Sequence, residues 1–246
     1  QDEMKLRFDE EFTILDIEGV RRLIKHYEQF GDNVRFRGIT SLELLRREEL
    51  ANTIEELRLN FDLVIVDEAH HCRNTGTLSN NLASILSDNA DAMLFLTATP
   101  LQMGNQDLYN LLRILSPGEF DDFAVFMERL DPNRYINQAA NILATGDHSG
   151  ALTELKKVEL TREKKRFTGN PFYQELTELL QSRYLDNKQL VYAQRRLIEL
   201  NTLANIFTRT RKREIAEKVP NRAAFSLKVN FTPAERRFYD QVIQNV

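Results

Sequence analysis

The chain has 246 residues, 42% hydrophobic and 28% charged, with a formal net charge of −4; that suffices for the core of one large domain or two small ones and excludes a disordered or low-complexity chain. No stretch approaches eighteen consecutive apolar residues, and the charged opening does not read as a signal peptide, so membrane and secretory roles are not expected. Cys72 is the only cysteine, which leaves no intrachain disulfide and makes a reducing, cytoplasmic compartment the default.

Along the first part, strand and helix patterns alternate. Glu11 to Asp16 reads as a short strand, and Val20, Leu23, Ile24 and Tyr27 follow at helical spacing until Gly31 stops the helix. Val34 to Thr40 reads as a second strand, followed by helical periods through Leu44 and Leu45 and through Leu50, Ile54 and Leu57. The run Leu63-Val64-Ile65-Val66 is continuously apolar, the pattern of a central parallel strand covered on both faces. Leu78, Leu82, Ile85 and Leu86 mark a helix, Ala92 to Thr97 a second buried strand, and Leu108, Leu111, Leu112 and Leu115 a helix ended by Pro117-Gly118. Strands alternating with helices imply an open, mostly parallel α/β sheet.

From Ser116 to Thr208 the periods are helical. Phe120, Phe123, Met127 and Leu130 form one stripe. Asp131-Pro132 and Asn170-Pro171 each read as an N-cap with proline at the first helical position, and Leu190, Ala193, Leu197, Leu200, Ala204 and Phe207 predict a long helix. This segment reads as a helical insertion packed as a bundle, its stripes being core. Ala223 to Phe231 alternates as a strand, and Thr232-Pro233-Ala234-Glu235 is a capping box before a last helix. The expected divisions are 1–115, 116–208 and 209–246.

The chemistry concentrates at two strand ends. Ligands of open α/β sheets bind beyond the carboxyl ends of the strands, where Asp67 falls. A carboxylate there can hold Mg²⁺ through water, and the adjacent Glu68 is free to orient or deprotonate the water that attacks a γ-phosphate. A bare Asp-Glu pair is more often a helix cap; the four buried β-type residues before it favour the ATPase role. Thirty residues on, Leu96-Thr97-Ala98-Thr99-Pro100 ends the second buried strand. Small hydroxyls there can hydrogen-bond the acidic strand and report whether the γ-phosphate is present.

Asp67-Glu68-Ala69-His70 followed by Thr97-Ala98-Thr99-Pro100-Leu101-Gln102 resembles motifs II and III of superfamily-two helicases. The stretch from Asp107 to Phe120 and the stretch Phe207 to Ile215 leading to Val219-Pro220 resemble the Swi/Snf family in particular. Ile39-Thr40-Ser41-Leu42-Glu43 resembles that family's motif Ib, and Gln1-Asp2-Glu3 fits the tail of its motif Ia. The resemblance implies a partial first RecA-like lobe of the P-loop NTPase type with a large helical insertion, ATP and Mg²⁺ as cofactors, and double-stranded DNA as the track of an ATP-driven translocase. It gives His70, Thr97, Ala98, Thr99 and Gln102 a coupling role, and Thr40 and Ser41 a nucleic-acid role. Thr208 stands where many eukaryotic members have arginine, which points to a bacterial branch, in the cytoplasm at the nucleoid; a eukaryotic source would place it in the nucleus. RNA polymerase or another DNA-bound protein is a partner that the resemblance allows. No Gly-x-x-x-x-Gly-Lys-Ser/Thr occurs anywhere in the 246 residues. The expectation is an excised stretch whose phosphate loop lies upstream and which does not hydrolyse ATP alone.

Residues 1–123 carry 12 Lys+Arg against 23 Asp+Glu, and residues 124–246 carry 21 against 14. An acidic half joined to a basic half fits a second half facing a polyanion, or simply two solvated surfaces of opposite sign. The group Lys156, Lys157, Arg162, Lys164, Lys165 and Arg166 either contacts phosphates or forms solvated helix faces; Arg209, Arg211, Lys212 and Arg213 either contact DNA or hold a junction together. His70-His71-Cys72 has the wrong spacing for zinc. The rival readings are an RNA helicase and a non-catalytic DNA-binding or scaffold segment.

Overall fold

A computed structural model describes residues 2–97, 104–206 and 231–244. The chain divides into two compact units, Gln1–Ala204 and Asn205–Val246.

The first unit opens with helix α1 (Asp2–Phe8), then β1 (Thr13–Ile14), α2 (Ile17–Phe30), β2 (Gly38–Ile39), α3 (Leu42–Leu45) and α4 (Glu48–Leu57). Asp16 caps α2 by accepting the Gly19 N–H at 2.7 Å. Gly31 ends it at φ 55°, a left-handed conformation that glycine adopts without strain. β1 and β2 pair in parallel, Thr13 beside Gly38 and Ile14 beside Ile39. Gly38 leaves room for the Leu15 side chain: a Cβ there would come within 2.6 Å of a Leu15 methyl, which would have to shift. β3 (Val64–Val66), α5 (Leu78–Asp88), β4 (Met93–Phe95) and α6 (Asn105–Leu115) follow. β3 and β4 are parallel, with Val64, Ile65 and Val66 beside Met93, Leu94 and Phe95.

Among the described residues the strands thus form two separate two-stranded parallel sheets, and the unit is mostly helical. The expectation that β3 and β4 are buried on both faces is corrected. Val66 is buried at 7%, but Ile65 stands 49% exposed and Leu94 46%. Side chains alternate across a strand, so one face of this sheet packs on Ala69, Cys72, Ala83, Leu111 and Ile114 while the other carries its apolar residues outward. Val20, Ile24, Leu50, Ile54, Leu82 and Leu86 form a second core against α2, α4 and α5.

The helical segment comprises α7 (Phe123–Ala144), α8 (His148–Leu155), α9 (Lys164–Thr168), α10 (Pro171–Leu180) and α11 (Asn187–Glu199). Its core gathers Ile136, Leu143, Leu155, Phe167, Leu176 and Leu197. Three expectations need correction. Asp131-Pro132 does not start a helix: α7 begins at the Asp122 cap, whose Oδ1 accepts the N–H groups of Ala124 and Val125, and runs through Pro132. An internal proline forfeits a backbone bond and crowds the preceding turn; burial of Phe126, Ile136, Ala139 and Leu143 along the same helix offsets that. The buried aromatics at its start are Phe120 and Phe126, whereas Phe123 and Met127 are over a third exposed. Finally, α11 stops at Glu199, short of Phe207, and Leu200 and Leu203 bury in the turns that follow.

Asn170-Pro171 starts α10 as expected, the Asn170 side chain accepting the Phe172 N–H at 2.9 Å. In the second unit, α12 (Pro233–Gln244) starts after the expected capping box, in which Thr232 Oγ1 accepts the Glu235 N–H at 3.4 Å. Glu235 accepts the Thr232 N–H at 2.8 Å, and these bonds from Thr232 hold its carboxyl below the usual range. The strand expected over 223–231 lies, but for Phe231, outside the described residues. No helix among the described residues is long and apolar enough to cross a membrane.

Candidate functional site

The site forms where β3 and β4 end side by side. The Leu96 N–H donates to the Val66 carbonyl at 2.9 Å, and the Ala69 N–H donates back to the Leu96 carbonyl at 2.8 Å. Asp67 and Glu68 therefore leave the sheet beside Leu96-Thr97. Asp67 is exposed, and its Oδ1 accepts the Glu68 N–H at 2.8 Å. Glu68 adopts φ 51°, a left-handed backbone that few non-glycine residues hold. That turn ends the strand and starts the 3-10 turn Ala69–Cys72, whose Ala69 and Cys72 are fully buried. His70 Nδ1 lies 3.1 Å from Glu68 Oε2, close enough for an ion pair but without the alignment of a hydrogen bond.

Side chains that the sequence reading passed over hold this turn. Asn80, on α5, donates from Nδ2 to the Cys72 carbonyl at 2.8 Å, and Asn110, on α6, donates to the Arg73 carbonyl at 2.8 Å. Arg73 Nε approaches Asp107 at 3.7 Å. The available signal was a pair of asparagines amid the apolar periods of two helices, where an unpartnered amide would be costly. Burial pushes the Cys72 thiol up to about 11, so it is a neutral core group and no thiolate ligand.

These residues fit Mg²⁺-ATP. Mg²⁺ keeps most of its water and uses one or two carboxylates together with phosphate oxygens, which matches an exposed Asp67 at a strand end. The buried Nδ1 of His70 beside Glu68 has no hydrogen-bond partner among the described residues.

Residues 35–246 match the SNF2-related domain. The chain belongs to the SNF2-related family. Members are helicase-like ATP hydrolases that generally act on DNA. The match includes both strand ends of the site, from Asp67 to Thr97, and the helical segment after α6.

The SNF2 framework distributes the remaining candidates unevenly. The Thr40 hydroxyl donates to the Leu15 carbonyl at 3.0 Å, and Ser41 caps α3 by accepting the Leu44 N–H at 3.2 Å, so both hydroxyls are engaged in local structure. Lys164 and Lys165 are exposed on α9. Arg166 instead reaches back, its Nη2 donating to the Thr202 carbonyl at 3.3 Å. Thr97 is described up to the edge of the coupling segment. Ala98, Thr99, Gln102, Arg209, Arg211 and Lys212 lie outside the described residues.

Proposed function

We propose that this chain is the first-lobe part, with its helical insertion, of an SNF2-type motor that hydrolyses ATP to move along double-stranded DNA. The observation that carries the reading is the junction of β3 and β4: an Asp-Glu pair at a strand's carboxyl end, bonded through Leu96 to the segment that begins at Thr97. On this reading the sheets belong to a RecA-like lobe, and the exposed apolar face of β3 and β4 is a face that such a lobe covers. The divisions at 115 and 208 mark the lobe, the insertion and the junction.

Magnesium-bound ATP supplies the phosphoryl group and the charge to be neutralised. Asp67 would hold the Mg²⁺ through water, and the ion would neutralise phosphate charge. Glu68 orients the attacking water and accepts its proton at a carboxylate oxygen, and His70, 3.1 Å from that carboxylate, couples it to Thr97 and Thr99. Thr97, Ala98, Thr99 and Gln102 pass the state of the site onward. Thr40, Ser41, Lys164, Lys165, Arg209, Arg211 and Lys212 meet the DNA backbone, with Arg166 as support. These 246 residues contain no phosphate-loop sequence, so turnover is expected only when such a loop is joined to them. A bacterial, nucleoid-associated setting and a DNA-bound partner such as RNA polymerase complete the reading.

The test uses the intact protein. ATPase activity is compared on duplex DNA, single-stranded DNA and RNA, alongside triplex displacement and forked-duplex unwinding. Stimulation by duplex DNA with displacement and no unwinding is expected. Stimulation by RNA alone, or robust strand separation, overturns the reading in favour of a helicase.

A further inference from the structure

The run of six cations from Lys156 to Arg166 divides in the structure. Lys157 pairs with Glu154 at 2.6 Å, Arg162 pairs with Glu128, and Arg166 is spent on the Thr202 carbonyl. Lys156, Lys164 and Lys165 are exposed, and no side chain among the described residues neutralises them. Lys156 opens the 3-10 turn Lys156–Leu160, and the two other lysines open α9, which packs against that turn. Of the two acids in the same stretch, Glu159 is engaged by the Tyr173 hydroxyl at 2.6 Å, and Glu163 stands at the start of α9. The stretch 156–166 keeps six cations against these two carboxylates.

Between the lysines stands Leu160, 82% exposed. Its neighbours Val158 and Phe167 are buried at 0% and 1% and fix the turn to the helical core. A fully exposed leucine on a rigid turn forgoes roughly 1.5–3 kcal/mol of burial. An exposed aliphatic side chain on a turn that packs against the lysine-bearing start of α9 suits a duplex: the lysines take phosphates, and the apolar tip enters the minor groove as a wedge, with no base-specific donor or acceptor involved.

We infer that the turn Lys156–Leu160 and the start of α9 form a duplex-DNA contact in which Lys156, Lys164 and Lys165 bind phosphates and Leu160 wedges into the minor groove. This rests on the reading of the protein as a duplex translocase and adds to it a site, its residues and its groove. Such a contact is blind to sequence, as a moving motor needs. Arg166 stays out of it and braces it: its bond to Thr202 fixes α9 to the turn that follows α11.

The experiment measures affinity of the intact protein for a fluorescein-labelled duplex over a series of salt concentrations. A second duplex carries 2-aminopurine to report unstacking. Replacing all three lysines (Lys156→Glu, Lys164→Glu, Lys165→Glu) should weaken binding at least tenfold and lower the salt slope by about 2–3, since each phosphate contact contributes about 0.9. Leu160→Ala should leave the slope intact, weaken binding several-fold and abolish the 2-aminopurine rise. Far-ultraviolet circular dichroism and the urea midpoint of both variants should match those of the unsubstituted protein, which shows that the proteins are folded. Unchanged affinity and slope in the triple variant, while the unsubstituted protein binds duplex, overturns the contact alone and points to an acidic protein as the surface's partner. An unaltered 2-aminopurine signal in Leu160→Ala overturns the wedge. No duplex binding by the unsubstituted protein overturns both this site and the translocase reading.

Discussion

Asn133 on α7 grips the turn after α11 with both ends of its amide. Its Nδ2 donates to Thr202 Oγ1 at 2.8 Å and its Oδ1 accepts the Thr202 N–H at 2.9 Å, with Thr202 fully buried. Asn133→Ala removes two hydrogen bonds, each contributing a net of about 1 kcal/mol, and leaves a buried N–H and hydroxyl unmatched at about 1–3 kcal/mol apiece. The guanidinium groups of Arg129 and Arg166 already occupy the Thr202 carbonyl, at 3.4 and 3.3 Å, and cannot replace an acceptor for the N–H. Because the cost of an unmatched group already contains that of its lost bond, the expected loss is about 2–6 kcal/mol. Thr202→Val keeps the bond from the backbone N–H to Oδ1 and should cost about half as much. Urea unfolding followed by far-ultraviolet circular dichroism measures both, and the double variant gives the coupling, expected above about 0.5 kcal/mol. A loss below about 0.5 kcal/mol in Asn133→Ala refutes the claim that this pair pins α7 to the turn that follows α11.

Three further outcomes are expected. In the intact protein Glu68→Gln should preserve ATP binding and reduce hydrolysis by about a hundredfold or more, whereas Asp67→Asn should also weaken Mg²⁺-dependent binding; equal binding losses in nucleotide titrations would undo the division of labour. Thr97→Ala with Thr99→Ala should lower translocation more than ATPase rate, as read by triplex displacement against phosphate release; a proportional fall removes the coupling role. Cys72 has its thiol raised to about 11 by burial, against an ordinary 9.0. The folded state therefore favours the protonated form, and the stability this contributes is full below pH 9 and lost as pH rises toward 11, by roughly 3 kcal/mol in all. The drop in urea midpoint between pH 8 and pH 10.5 should be larger for the unsubstituted protein than for Cys72→Ala, and iodoacetamide should label Cys72 only after unfolding.

Much of the site was legible because strand ends follow local rules. The apolar run through Val66 and its break at Asp67 are set by neighbouring residues, and the structure places the Asp-Glu pair beside Leu96 as that pattern implies. Elements whose limits depend on tertiary packing were less legible. Pro132 looks like a helix start, yet α7 continues through it because the burial of Phe126 and Ile136 is a fact of the bundle and not of the dipeptide. The leucine spacing continues past Leu200, but the buried Thr202 is taken up by Asn133 on another helix, and α11 has already ended. The apolar run at β3 fits burial on both faces; Ile65 and Leu94 lie half-exposed because an apolar pattern reports what a strand can bury and not which neighbour covers it. Charge runs were least legible: six adjacent cations look alike in sequence, while three of them are spent on Glu154, Glu128 and the Thr202 carbonyl.

The three asparagines Asn80, Asn110 and Asn133 share one physical logic. Each sits on an α-helix and uses its amide to hold a segment that is neither α-helix nor strand: the Cys72 carbonyl, the Arg73 carbonyl, and the Thr202 hydroxyl and N–H. Such segments leave backbone groups outside any ladder, and these must find partners once buried. An apolar side chain can fill the space but supplies no donor; an aspartate of the same shape would set a carboxylate against a carbonyl at the first two positions. The amide alone supplies a donor where the chain offers an acceptor and, at Asn133, both at once. Two of these clamps act on the turn that follows Glu68, whose left-handed backbone is the strained point of the site. Strain of that kind persists only where the surroundings over-determine it. The helices α5 and α6, through Asn80 and Asn110, hold the turn that follows Glu68, so the backbone after that residue is set by helix packing as much as by the strand that leads into it.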